Sequence, residues 1–122
     1  MKKFFLLIIL MLAFSCENYI DKPENLLSEN KMAEIMADMA LNDYSTYLNP
    51  TSNVEIGTRF ILKKHNVKAD NFMSSYKYYV VKKEMSAITV KSQNILKEKN
   101  PEAENFINKK MKENTPLPTT TE

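Results

Sequence analysis

Apolar residues recur every three or four positions along most of the chain after residue 27, and this is the spacing of amphipathic helices. The pattern predicts helical stretches over about residues 28–47, 54–66, 70–81, 82–99 and 101–113. The last two form either one kinked helix or two helices that fold back on each other. Tyr78–Val81 would also suit a short strand, but it has no evident partner strand. The pattern therefore predicts a small all-α bundle of four to five helices.

Each predicted helix carries an apolar stripe that we expect to form the core. The stripes comprise Met32, Ile35, Met36 and Met39; Ile56, Phe60, Ile61 and Val67; Phe72, Tyr76, Tyr79 and Val80; Met85, Ile88, Thr89, Ser92, Ile95 and Leu96; and Ala103, Phe106, Ile107 and Met111. Glu34 and Asp38 lie outside the first stripe. We expect both carboxylates on a solvated helix face.

Cap and turn residues support these boundaries. Ser28 is a good N-cap, and Leu27 with Met32 would form a hydrophobic staple around it. The segment Asn-Pro-Thr-Ser-Asn at 49–53 ends the first helix, since proline disfavours helix just before itself. Asn100–Pro101 restarts a helix, with asparagine as the cap and proline at the first helical position.

The first sixteen residues have the order of a secretory signal. Two lysines precede the apolar run Phe4–Phe14, which is shorter than the roughly 20 residues needed to cross a bilayer but suits a signal peptide. Ser15 and Cys16 follow it and resemble the lipobox of bacterial lipoproteins. This resemblance implies that residues 1–15 are removed and that the thiol of Cys16 carries acyl chains such as palmitate. The alternative is an ordinary signal peptide followed by a free thiol.

The predicted organisation is a signal peptide, a lipidated tether, one domain and a tail. Polar residues and Pro23 make residues 16–27 a tether between the membrane and the helical domain at 28–113. Residues 114–122 are rich in Thr and Pro without periodicity, and we expect them to be disordered.

Composition narrows the range of functions. The formal net charge of +2 falls to about zero once Lys2 and Lys3 are removed, which argues against binding of nucleic acid. A single glycine cannot build a glycine-rich phosphate loop. The charge is uneven, because residues 17–48 carry a net −5 and residues 49–122 a net +5. Complementary packing of helices would explain this, as would a basic face for anionic lipid or an acidic partner.

The inventory of reactive side chains is small. Ser75 and His65 are the one candidate pair for nucleophilic catalysis, but no nucleophile-elbow motif surrounds Ser75. We interpret His65 as a helix C-terminal residue favoured by the helix dipole. With one histidine and the cysteine expected to be acylated, no metal site and no cofactor are predicted.

A surface on the first and third helices is the candidate for binding a partner or ligand. Flexible methionines and exposed tyrosines are typical of such surfaces, although a methionine stripe at helical spacing is more often part of a core. Tyr78 in particular should point away from the stripe, beside Lys77 and Lys82. The candidate residues are Met36, Met39, His65, Tyr76, Tyr78 and Tyr79.

One set of residues spread over the chain forms a familiar pattern: Lys22, Pro23, Leu26, Met32, Lys64, His65, Val67, Phe72, Ser75, Tyr78 and Tyr79. With this pattern, about residues 20–100 resemble a family of short Bacteroidota lipoproteins that carry a helical domain of unknown function. In this resemblance Asn66 takes the place of a glycine. It implies lipid anchoring and a helical fold, and it implies no reaction.

We therefore expect a non-enzymatic protein of the cell envelope, anchored in the outer membrane through Cys16. Its expected role is that of a protein-binding or structural accessory module, with another envelope protein as its partner. The alternative function is binding of a small ligand, lipid or glycan in a groove between helices.

Overall fold

The computed structural model describes residues 2–4 and 19–114. Residues 2–4 are helical, and five further helices follow: α1 (Glu29–Leu48), α2 (Val54–Lys64), α3 (Ala69–Val81), α4 (Met85–Lys99) and α5 (Pro101–Asn114). No strand occurs among the described residues, so the all-α prediction is confirmed. Counting residues 2–4, these ranges hold six helical segments, and the predicted number of four to five is slightly low. None of the described helices combines the length and apolarity needed to cross a membrane.

Short polar side chains begin three of the helices. Ser28 Oγ accepts a hydrogen bond from the amide of Lys31 at 3.2 Å. Asn53 Oδ1 accepts from the amide of Glu55 at 2.9 Å, and Asn100 Oδ1 accepts from the amide of Ala103 at 3.1 Å. Each bond satisfies an amide that has no carbonyl partner in the first helical turn.

Two left-handed residues end helices α2 and α3. Asn66 has φ 55° and Lys83 has φ 60°, and in both turns an amide binds the carbonyl five residues earlier, as in the Schellman motif. Asn66 adopts this conformation because the short polar side chain of asparagine tolerates left-handed backbone. Lys83 was not foreseen, and it explains why α4 begins at Met85 rather than near residue 82.

Helix α1 is the centre of the bundle. Helices α1 and α2 are antiparallel. Asn42 Nδ2 of α1 donates to the Val54 carbonyl at the start of α2 at 3.2 Å, whereas Asp38, earlier in α1, binds His65 at the end of α2. Helix α4 runs alongside α1 in the same direction, since Lys91 binds Glu29, and the next pair, Lys99 with Asp38, lies more than two turns further along both helices. The chain turns at Asn100, so α4 and α5 are separate helices.

Two apolar clusters form the core. The first joins the amino-terminal half of α1 to α2, α3 and α4. Its buried members are Met32, Ala33, Ile35, Ile61, Leu62, Phe72, Tyr79 and Ile88. The second joins the carboxy-terminal half of α1 to α4 and α5 through Ala37, Leu96 and Ala103, with Tyr44 and Ile107 at its margin.

The predicted stripes of α2 and α3 are partly wrong. Ile56 and Phe60 are each 67% exposed, and Leu62 is buried instead. On α3 the buried residues are Phe72, Ser75 and Tyr79, while Tyr76 and Val80 are 39% and 46% exposed. Both helices are rotated about their own axes relative to the prediction. Contacts with α1 and with the segment that precedes α1 determine which face of each helix is buried.

Gly57 allows the close approach of α1 and α2. A Cβ atom at this position would overlap the carboxamide of Asn42. Replacing glycine by alanine within a helix usually stabilises by about 1 kcal/mol. Here we expect Gly57→Ala to lose most or all of this gain, because the added Cβ displaces the Asn42 carboxamide and removes its exposed hydrogen bond to the Val54 carbonyl. Urea unfolding followed by circular dichroism measures this change.

The same substitution in an Asn42→Ala background is the control. With the carboxamide removed, Gly57→Ala should recover its usual stabilising effect. The same gain from Gly57→Ala with Asn42 in place would contradict the proposed close contact.

Candidate functional site

A buried carboxylate lies where three helices meet. The Asp38 side chain, on α1, is only 8% exposed. Its Oδ1 accepts a hydrogen bond from Lys99 Nζ of α4 at 2.6 Å. Its Oδ2 accepts from His65 Nε2, at the end of α2, at 2.8 Å and lies 3.5 Å from Lys64 Nζ. We call these four residues the Asp38 network.

The network keeps the carboxylate charged. Burial by itself would raise the pKa of Asp38, but the hydrogen bonds from Lys99 and His65 and the charges of Lys99 and Lys64 outweigh it and hold the pKa below its ordinary value. Since a carboxylate only accepts, Nε2 of His65 carries the hydrogen in this contact.

The expectation that Asp38 faces solvent is wrong. Asp38 follows the core residue Ile35 by three positions and therefore lies on the same face of α1. Its charge suggested solvent, but cations from two distant helices compensate that charge. Glu34, one turn earlier, is half exposed and pairs with Lys31. The expected exposure to solvent therefore agrees with the structure better for Glu34 than for Asp38.

His65 and Ser75 do not bond to each other. His65 binds Asp38, as above, and Ser75 Oγ accepts a hydrogen bond from the Leu27 amide at 3.0 Å. Both side chains therefore hold pieces of the fold together, and the pair has none of the mutual contact that nucleophilic catalysis requires.

Helix α3 holds the chain that leads into α1. Besides the bond from the Leu27 amide to Ser75, the hydroxyl of Tyr79 donates to the Leu27 carbonyl at 2.7 Å. Ser75 is fully buried and Tyr79 nearly so. Leu26 and Leu27 also pack against the first core cluster. The end of the predicted tether is thus docked on the domain, and we call this pair of hydrogen bonds the Leu27 clamp.

The clamp suits the chemistry of its two side chains. Burial, followed by the nearby charges of Glu29 and Glu84, raises the pKa of Tyr79. The hydroxyl therefore stays protonated and remains a donor. Together Ser75 and Tyr79 satisfy both backbone polar groups of Leu27, which is half-buried and would otherwise carry part of a desolvation cost.

The predicted partner surface on α1 and α3 is mostly occupied within the domain. Met36 and Met39 pack against the first core cluster, and Tyr79 is buried in it. Tyr78 is half-buried, with its ring edge-on to Tyr79 at 5.6 Å and Lys82 Nζ 5.9 Å from its centroid. Tyr76 alone among these candidates is clearly exposed.

Exposed apolar side chains are concentrated at another place. Five large ones fall between residues 47 and 60, at the end of the α1–α2 hairpin, with exposures of 43–67%. We call this set the apolar end; it comprises Tyr47, Leu48, Val54, Ile56 and Phe60. The sequence analysis did not predict this feature, because it placed Ile56 and Phe60 in the core.

Two open clefts flank α2. One, of about 250 Å³, lies between α1 and α2, and Leu41, Ser45 and Phe60 are among its lining residues. The other, of about 560 Å³, lies at the turn between α2 and α3. Neither is lined by Met36, Met39 or Tyr79.

Metal and lipid sites cannot be placed on the described part of the chain. Within residues 2–4 and 19–114, no group of three or more His, Cys, Asp or Glu side chains is arranged to hold a metal ion. Cys16, the predicted lipidation site, lies outside the described residues, as do most of the predicted signal peptide and the tail after Asn114.

A protein-family model described as Domain of unknown function (DUF4296) matches residues 23–102, about two thirds of the chain. No curated protein and no solved structure matches. The matched range begins before the Leu27 clamp and ends in the first turn of α5. It therefore includes both sides of the clamp and every member of the Asp38 network.

Removing the charge of Asp38 should destabilise the protein in a pH-dependent way. Because its pKa is lower in the folded than in the unfolded chain, the charged carboxylate stabilises the fold above its unfolded pKa of about 4. This contribution is lost as the pH falls through the folded pKa. We expect Asp38→Asn to lower the free energy of unfolding by about 1–3 kcal/mol at neutral pH, and by progressively less below about pH 4. Urea unfolding at a series of pH values measures the difference.

Glu34→Gln is the matched control on the same helix, since its ion pair is exposed and should contribute little. Equal stability of the two variants at neutral pH would contradict the role of Asp38. So would a destabilisation by Asp38→Asn that grows toward acid pH.

Opening the Leu27 clamp should expose the amide of Leu27. We expect Ser75→Ala to lower the free energy of unfolding by about 1–2 kcal/mol, because the partly buried Leu27 amide loses its acceptor, and Tyr79→Phe to lower it by about 1 kcal/mol. Hydrogen exchange of the Leu27 amide should accelerate in Ser75→Ala. Ser74→Ala and Tyr76→Phe, on the same helix, are the controls. Unchanged exchange in Ser75→Ala would show that the clamp does not hold this segment.

Proposed function

The chain belongs to the DUF4296 family, and we propose that it is a non-enzymatic, lipid-anchored protein of the cell envelope that binds another envelope protein through its apolar end. The single observation that carries the partner proposal is the set of five exposed apolar side chains between residues 47 and 60. Lipidation of Cys16 and placement in the outer membrane are part of the proposal and derive from the lipobox-like sequence.

The apolar end has the composition of a protein interface. Scattered exposed apolar residues are normal on any surface, but five of them in the stretch from residue 47 to residue 60 favour a contact site around this hairpin. Tyr47 also packs on Phe106 of α5, with the ring centroids 4.6 Å apart. Aromatic side chains are enriched at the centres of interfaces, and Tyr47 and Phe60 supply two. Phe60 also borders the cleft between α1 and α2, where a side chain of the partner could insert.

The Leu27 clamp supports an anchored, well-positioned domain. With Leu26 and Leu27 docked, the free tether extends from Cys16 only to about residue 25. At most ~3.5 Å per residue, it reaches about 30 Å from the bilayer. Helix α1 starts at this clamp, and its twenty residues carry the apolar end about 30 Å further along the helix axis. The clamp thus separates the attachment point of the domain from its proposed docking surface.

A non-enzymatic role is supported by the bonding of the reactive side chains. His65 and Ser75 are each engaged in holding the fold together. The alternative function, binding of a small ligand, is favoured by one specific observation, the cleft between α2 and α3.

A crosslinked pull-down from native membranes tests the proposal. The bait proteins are wild type, Cys16→Ala, Phe60→Asp and the control Val90→Asp, which alters an exposed apolar residue of α4. We expect acyl chains on Cys16 of wild type by mass spectrometry, and one abundant partner. That partner should be reduced about tenfold or more in Phe60→Asp, the effect of losing a central apolar contact, and retained in Val90→Asp.

Three results would count against the proposal. An unlipidated Cys16 would remove the anchor. The lack of any stoichiometric partner of wild type would remove the protein-binding role. Equal recovery with Phe60→Asp and Val90→Asp would place the docking surface elsewhere.

A further inference from the structure

We propose that the cleft between α2 and α3 is a binding site for a phosphate-bearing anionic ligand. This inference goes beyond the partner-binding role and does not depend on it. The cleft has a volume of about 560 Å³, within the range of small-ligand sites. Its polar lining residues are Arg59, Lys63, Asn66, Lys68 and Asn71.

The charge of the cleft is positive and largely uncompensated. Among the described residues that line it, three are cationic and none is acidic. Arg59 pairs with Glu55 on its own helix. Lys63 and Lys68 take part in no ion pair or hydrogen bond formed by side chains in residues 2–4 and 19–114. The neighbouring Lys64 is turned away, toward Asp38.

The backbone around the cleft is firmly held. The Val67 amide binds the Leu62 carbonyl at 2.9 Å across the left-handed Asn66, which fixes the turn between the two helices. Leu62 is buried in the first core cluster and Val67 packs against that cluster. Lys63 and Lys68 therefore lie on either side of a well-held turn with an apolar floor, and Arg59 lies one helical turn before Lys63 on α2.

Phosphate is the group that this lining fits best. Lysine and arginine side chains together with carboxamide N–H groups are strong, charge-assisted donors to phosphate oxygens. The apolar floor has room for the carbon atoms next to the phosphate. Two sources supply this chemistry, a free phosphate ester and the headgroup of an anionic phospholipid.

A titration of the full-length chain in a neutral maltoside detergent tests the site. The probes are inorganic phosphate, glycerol 3-phosphate, dihexanoyl-phosphatidylglycerol and the zwitterionic dihexanoyl-phosphatidylcholine, and binding is measured by calorimetry. We expect Lys63→Ala and Lys68→Ala each to weaken binding about fivefold or more, the effect of one charge-assisted contact. Lys77→Ala and Lys97→Ala, which remove exposed lysines elsewhere on α3 and α4, should change it less than about twofold.

The probes separate the two sources of phosphate. Binding of glycerol 3-phosphate or inorganic phosphate supports a free ligand, and binding of phosphatidylglycerol alone supports a lipid headgroup. Failure of wild type to bind any of these anionic probes would overturn the proposal. Losses in the control variants as large as those in Lys63→Ala and Lys68→Ala would do the same, because they would show nonspecific attraction. Circular dichroism of each variant checks that it is folded.

Discussion

One buried negative charge holds the centre of this bundle. Asp38 lies in the middle of α1, and its two oxygens bind cations from the ends of α2 and α4. A charge in this position is costly unless it is paired and hydrogen-bonded, so the three helices must come together for it to be satisfied. The contact also closes the bundle at the point where the first core cluster gives way to the second. The uneven charge along the chain therefore has a structural explanation here, in an acidic α1 that meets basic ends of later helices.

The remaining features are arranged around this centre. The end of α2 is fixed by His65, so the turn that follows is fixed as well, and with it the basic cleft between α2 and α3. Helix α3 in turn holds Leu27 by both of its backbone polar groups. The other end of the α1–α2 hairpin is left with exposed apolar side chains. One rigid unit thus presents an attachment point, a charged cleft and an apolar surface at different places.

Local signals in the sequence predicted the helices well, while tertiary contacts decided which faces are buried. Ser28, Asn66 and Asn100–Pro101 act within a single turn, and their roles follow from residue type alone. The orientation of α2 and α3 depends instead on partners far away in the chain. Tyr76 and Ser75 are neighbours on α3, and tertiary contacts, among them the bond from the Leu27 amide, determine that Ser75 faces inward. Asp38 was misjudged for the same reason, because its three partners, Lys64, His65 and Lys99, lie 26 to 61 positions further along the chain.

A pH titration of the Asp38 carboxyl carbon by NMR tests most directly whether this charge organises the bundle. In the folded chain, cationic partners should hold the midpoint below that of the same chain unfolded in urea, which is about 4. A folded midpoint below the unfolded one would show that Lys99, His65 and Lys64 outweigh the cost of burial. A midpoint at or above the unfolded value would contradict the account, because burial would then dominate and the carboxyl could not tie the three helices together.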